Sequence, residues 1–236
     1  DGIARNNIAR LNPDGSLDET FDPGFGSDGP INSISVQVDD RVVIGGRFLM
    51  FDGVQVPGVA RLQLDGSIDQ SFANSLPKLD ISSSWVNRVE VLENGRILMA
   101  GSFLANYDVD GNELTYRSIL RLKRDGSVDT SFQPVASSAL ADREYGTNGE
   151  IRALAIQPDG SIIIGGTFTQ FHGKTHNRIA RLTPNGELDT TTNFGSGADG
   201  TVLDAIVQND FRIIVAGQFQ EFDGELRLRL ARVYGG

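Results

Sequence analysis

The sequence predicts an all-β fold, a β-propeller or propeller-like array of four-stranded antiparallel blades with about four blades in the chain, and three observations carry that expectation. One pattern keeps returning: an alternating apolar run, a nearly continuous apolar run closed by two small residues and a phenylalanine, then a short run built around arginine. The glycines that mark it stand at 46, 101, 166 and 217, so 55, 65 and 51 residues apart, a period that holds four strands and signals a propeller blade. Turn residues separate the runs, among them Asp14-Gly15, Asp65-Gly66, Asp125-Gly126, Asp159-Gly160 and Asn185-Gly186. These are strong hairpin signals, read as turns whose two central residues both take positive φ. No run keeps a helical period for more than a turn or two.

Taken in order, the chain reads as a single repeat domain over 1–236: a partial unit 1–21, units 31–72, 86–132 and 151–194, and a partial unit 202–233. Each unit's first run alternates, as in Ile151-Arg-Ala-Leu154-Ala-Ile156, which suits a strand with one covered face. The second is apolar on both faces, as in Ile162-Ile-Ile-Gly165-Gly166-Thr-Phe168, and so belongs between neighbouring blades. Its small pairs (Gly45-Gly46, Ala100-Gly101, Gly165-Gly166, Ala216-Gly217) imply close approach of another backbone at a blade contact. A solenoid would need shorter rungs, and a sandwich would not recur four times.

Composition removes several function classes. The net charge of −10 opposes affinity for nucleic acid or an anionic membrane surface. No apolar run approaches the ~18 residues of a membrane-spanning helix. Twenty-eight glycines suit many tight turns, and the absence of cysteine means a fold held by its core rather than by disulfides.

Recurring polar residues read first as structure. Asp18, Asp69, Asp129 and Asp189 each lie just past a strand with Ser or Thr two residues on, the arrangement of an Asx turn. Arg10, Arg61, Arg121, Arg181 and Arg232 recur as well. A two-residue turn at Asp14-Gly15 would set residue 10 opposite 19, so that Arg10 and Asp18 face opposite ways and each arginine seeks an acidic or carbonyl partner in the next blade.

The motifs I-A-R-L-x-x-D-G-S-[LIV]-D-x-[ST]-F and D-G-x-[IV]-[IL]-[IVM]-[GA]-G-x-F resemble the bacterial delta-60 repeat, a propeller-forming repeat, over essentially the whole chain. Asp39-Asp40-Arg41 and Asp210-Phe211-Arg212 depart from the Asp-Gly turn, and the stretch from Asp189 to Phe194 carries two extra residues. The resemblance implies part of a larger secreted or surface-attached bacterial protein, hence an extracellular or cell-surface location, and supplies no catalytic residues.

Where the units differ, function is expected. Connections at one end of the strands are minimal; those at the other end (73–85, 104–118, 133–150 and 169–178) vary in length and content. Trp85, Tyr107, Tyr116, Arg143 and Tyr145 fall in or beside them and are the candidate ligand-binding residues, for a protein or glycan partner. Asp108, Asp110 and Asn112 place oxygens at alternate positions and are the candidate ligands of a weak calcium site, with no other cofactor expected. His172 and His176 flank a turn rather than share a helix face, a poor zinc pattern. With no nucleophile–base order and no phosphate loop, the reading is a non-enzymatic interaction or adhesion scaffold. The alternatives are a structural spacer or filament subunit, or a propeller hydrolase or lyase with acidic residues at the channel mouth. Residues 3–11 and 225–233 are two copies of the same strand, a surplus that means a wider ring, a longer parent chain or an open edge, and an open edge gives the ends a route to self-association.

Overall fold

The computed structural model describes residues 4–79, 84–109, 112–132 and 145–235; at 108, 109, 112–114 and 145 the description is of the backbone alone. Four antiparallel sheets follow one another along the chain as blades 1 to 4. Their inner, middle and outer strands are Ile31–Val36, Val42–Gly46 and Val59–Leu62; Trp85–Val91, Ile97–Val109 and Asn112–Leu122; Ile151–Ile156, Ile162–Gly166 and Ile179–Leu182; and Val202–Val207, Arg212–Gly217 and Leu230–Tyr234. Inner strands pack on one another in chain order. In blades 1 to 3 the fourth strand is reduced to one bridge, Leu62 with Ile68, Leu122 with Val128 and Leu182 with Leu188.

Apolar packing forms four clusters, one per junction. Ile8 and Phe21 pack against Ile44, Phe48 and Leu62 of blade 1. Val43, Val59 and Phe72 meet Val86, Val89, Met99 and Leu122 across blades 1 and 2. Leu98, Ile119 and Phe132 meet Ile162, Ile164 and Leu182 across blades 2 and 3. Ile163 and Ile179 meet Val202, Val215 and Phe219 across blades 3 and 4. In blades 1 to 3 the middle strands are buried on both faces, as their unbroken apolar runs require, whereas that of blade 4 is covered on one face only.

Three local expectations are corrected by the geometry. The turns at Asp14-Gly15 and its equivalents put only the glycine at positive φ (Gly15 86°, Gly66 89°, Gly126 96°), and the aspartate instead accepts the N–H of the serine two residues on, 2.9 Å for Asp14 and Ser16. This turn holds one more residue than assumed, and one residue is enough to reverse facing. Arg10 therefore lies opposite Asp18, not Glu19, and the two side chains meet, Nε donating to Oδ2 at 2.7 Å. The third correction concerns the marker glycines. A Cβ on Gly46, Gly101, Gly166 or Gly217 would run into the carbonyl of Pro30, Trp85, Glu150 or Thr201, which belong to the same blade. The inner strand bulges there, and the register with the middle strand shifts between Ile151 and Ala153, for example. The neighbouring small residue is the one at the blade contact: a Cβ on Gly45 would lie 2.8 Å from Val86 and Val89 of blade 2.

The arginine expectation is met at three of its five positions; Arg181 instead bonds Gln157, Asp159 and Asp189 of its own blade, and Arg232 is exposed. Arg10, Arg61 and Arg121 each reach a main-chain carbonyl in the next blade, Leu64 at 2.7 Å, Arg124 at 2.5 Å and Pro184 at 2.6 Å. Each also pairs with an aspartate eight residues on and lies over a phenylalanine, Phe21, Phe72 or Phe132, at 4.4–4.8 Å. Those aspartates accept the Ser or Thr N–H as well; Asp69 in this way caps the short helix Gln70–Ser75.

Candidate functional site at the loop face

Because inner strands begin at the end that carries the long connections, the residues opening each inner strand lie on the loop face. Blades 1 and 4 place Pro30 and Thr201 there; blades 2 and 3 place Trp85 and Glu150. Two positions further on, Asn87 and Arg152 occupy equivalent places. Glu150 gathers these groups: Oε1 accepts the Trp85 indole N–H at 2.7 Å and the Asn87 amide at 2.8 Å, while Oε2 accepts Arg152 Nε at 2.8 Å. Burial alone would push the Glu150 carboxyl up, but the Trp85, Asn87 and Arg152 donors outweigh it and hold it below the usual carboxylate range. From blade 1, the Arg47 guanidinium lies 4.1 Å from the centre of the Trp85 ring. Side chains of three blades thus interlock at one point.

Beside Glu150, a recess of about 210 Å³ is lined by Ser84, Ser102, Leu104, Arg117 and Asn148. Further along the inner strands, Arg88 of blade 2 reaches Asp204 of blade 4 at 3.2 Å. A larger cavity, about 660 Å³, opens at the opposite end between blades 2 and 3, walled by Leu92, Leu98, Ile156, Ile162 and Pro158. Glu90 lines it; although solvent reaches this residue, the surrounding walls push its carboxyl up by burial.

The sequence-predicted residues separate into distinct environments. Trp85 is half-buried in the cluster just described. Tyr116 is 1% exposed and belongs to the core between blades 1 and 2, which corrects its reading as a ligand contact: the outer strand of blade 2 turns that ring inward. Tyr107 packs partly buried against the same core. Tyr145 lies on a short strand parallel to the outer strand of blade 2, and Arg143 lies outside the described residues. Of the calcium candidates, Asp108 and Asn112 fall on the two arms of an extended hairpin, paired with Glu113 and Val109, and Asp110 lies outside the described residues. His172 holds the positive-φ position of an exposed hairpin and stacks on Phe171 at 4.2 Å; among the described residues no three His, Cys, Asp or Glu side chains cluster as for a metal. Arg47, Asn87, Glu150 and Arg152 escaped the sequence reading. The signal for Glu150 and Arg152 was a departure from the repeat, replacing Pro30 or Thr201 and Asn32 or Leu203, whereas Asn87 repeats Asn32 and gave none.

A family model described as a domain of unknown function (DUF5122) β-propeller matches residues 1–21, 37–72, 92–132, 157–191 and 208–233, more than half of the chain. The chain belongs to this family. No curated protein sequence matches this DUF5122 propeller. Among solved structures it is similar to a gluconolactonase from Xanthomonas campestris, with 18% identity, a TM-score of 0.47, and coverage of 92% of this chain and 65% of that one. It is similar also to a protein of unknown function from Bacteroides caccae (12% identity, TM-score 0.43, 80% and 53% covered) and to virginiamycin B lyase from Staphylococcus aureus (14%, 0.39, 87% and 70%). The DUF5122 chain thus spans less than two thirds of the first two. At these identities the likeness shows the fold alone. The expectation that the chain is not an enzyme is withdrawn: a gluconolactonase and a lyase are among the solved structures with this fold, and fold does not decide activity.

Proposed function

We propose that this DUF5122 propeller is a recognition module that binds a protein partner through its loop face, centred on the cluster of Arg47, Trp85, Asn87, Glu150 and Arg152. One observation carries the reading: two arginines, a carboxylate and the only tryptophan interlock across three blades at the face where the repeat departs from itself. Preorganised Arg and Trp side chains are the usual anchors of protein interfaces. A guanidinium already covers one face of the Trp85 ring and removes it from sugar stacking, which favours a protein over a glycan. The delta-60 resemblance extends this reading to a larger secreted or surface-attached bacterial protein.

The test compares partners retained by the wild-type chain with those retained by Arg47→Ala plus Arg152→Ala. Retention should fall by at least tenfold, and Arg96→Ala on the turn face should leave it unchanged. Equal retention by all three proteins removes the reading. Hydrolysis of a lactone or ester panel that disappears in Glu150→Gln would replace it with a catalytic one.

A further inference from the structure

The chain carries five copies of the outer strand, and the first and last copies have complementary environments. In blades 1 to 3 the arginines of this strand, Arg61, Arg121 and Arg181, are 3%, 3% and 8% exposed, and Leu62, Leu122 and Leu182 are fully buried. Ile8–Leu11, the first copy, keeps every contact of its arginine: Asp18, Phe21 and the Leu64 carbonyl of blade 1. Yet its only pairing among the described residues is the Leu11–Leu17 bridge, and Leu11 is 61% exposed. Leu230–Tyr234, the last copy, is the reverse. It pairs in register with the middle strand of blade 4, Ile213 opposite Val233 and Val215 opposite Ala231. Its Arg232 is exposed with no carboxylate partner among the described residues, and Leu230 is 59% exposed. One copy has the arginine cage without a sheet; the other has a sheet without the cage.

The inner strands repeat the asymmetry. Ile34 is 54% and Val36 59% exposed in blade 1, whereas Val89, the equivalent of Ile34 in blade 2, is 2% exposed beneath the face of blade 1. Blade 4 offers the matching face. Ile214 and Ala216 occupy the places that Val43 and Gly45 hold in blade 1, and an alanine is already accommodated there in blade 2, at Ala100.

We propose that one copy of this chain completes another: residues 8–21 of one copy add to the Arg212–Gly217 strand of a second copy, in the register of Leu230–Val233, and blade 4 of the second then covers blade 1 of the first. The donated segment stays seated on its own blade 1 through Ile8 and Phe21. Only Leu230–Tyr234 leaves its place, so one outer strand replaces another and the ladder keeps its hydrogen bonds. The exchange buries Leu11, Ile34 and Val36 and leaves to solvent an arginine already there. Each copy retains the unused half of the contact, so the association is heterologous and repeats head to tail.

Because the chain has no cysteine, disulfide trapping tests this in the full chain. Leu11→Cys on one copy and Ile213→Cys on another should form a mixed disulfide dimer on mild oxidation, since Leu11 takes the place of Val233 opposite Ile213. Leu11→Cys mixed with Ile164→Cys, a buried middle-strand site of blade 3, should not. Failure of the first pair to couple overturns the proposal, as does an internal disulfide in a monomeric double variant, which would mean that the chain closes on itself. Light scattering supplies an independent readout. The mass of the wild-type chain should rise with concentration above 25.5 kDa, and Leu11→Lys plus Ile34→Lys, both at exposed sites, should abolish the rise. A wild-type mass fixed at one chain overturns it equally.

Discussion

Phe211 occupies the turn position that Gly95 and Gly160 fill in blades 2 and 3, and it does so at φ 65°. Its N–H closes the same turn on Gln208, at 2.9 Å. A bulky side chain in the left-handed region costs about 1–2 kcal/mol, and half-exposed Phe211 recovers little of that by burial. Phe211→Gly is therefore expected to raise stability by about 1 kcal/mol, less the entropy that glycine adds to the unfolded chain, for a net gain of a few tenths or more. A lowered melting temperature would count against strain at this turn. At Asp69 the balance is electrostatic. Burial pushes its carboxyl up, but Ser71, the Phe72 N–H and Arg61 together bring it down to about 2. A carboxyl held below its unfolded value stabilises the fold above that value and loses the contribution as pH falls through the folded one. Between about pH 4 and pH 2 the wild type should lose about 2 kcal/mol through this residue; Asp69→Asn should show a flatter acid limb in denaturant titrations at each pH, and parallel limbs would refute the assignment.

The outer strand with its turn is the element on which the repeat rests. The buried Arg121 side chain is held by Asp129 at 2.7 Å, the Pro184 carbonyl at 2.6 Å and the Phe132 ring. Its removal leaves the buried Asp129 with only the part-exposed Arg96, 3.2 Å away, as a cationic partner, so Arg121→Ala should cost about 3 kcal/mol. The same change at exposed Arg232 should cost less than about 0.5 kcal/mol. Equal losses at the two sites, measured by urea unfolding, would show that the junction does not set the value of the motif. Much of this element was legible in the sequence, because Ile-Ala-Arg-Leu and Asp-x-Ser-Phe recur at fixed spacing. What was not legible was the facing of Arg10 and Asp18, which turned on a single residue in the turn and on where Asp14 sends its carboxylate. The loop-face cluster was harder still. Trp85 stood out by type, but Glu150 lies 65 residues away, and only the stacking of blade 2 on blade 3 makes them neighbours.

For the whole molecule, four packing clusters, each shared by two consecutive units, mean that stability is assembled from nearest-neighbour terms. A cavity made at one junction should weaken that junction and spare distant ones. Val215→Ala is expected to speed amide exchange throughout blade 4 while leaving the middle strand of blade 2 protected. Equal acceleration in all blades would instead reveal one cooperative core.

The junctions are not mechanically alike. Between blades 1 and 2, the Ser33 and Ser35 hydroxyls accept the Val89 and Val91 N–H groups at 3.1 and 3.0 Å, and Asn32 reaches the Val86 carbonyl at 3.1 Å. Between blades 2 and 3 those serines give way to Arg88 and Glu90, and the cavity beside Glu90 opens where the hydroxyl stitches would lie. Blades 1 and 2 consequently act as one stiff plate, and blades 2 and 3 meet at a more compliant joint, fastened at the loop end by Glu150 and latched at the turn end by Arg121 on the Pro184 carbonyl. Under tension or torque the arc should bend about the loop-face cluster as its pin, widening the cavity once that latch gives way.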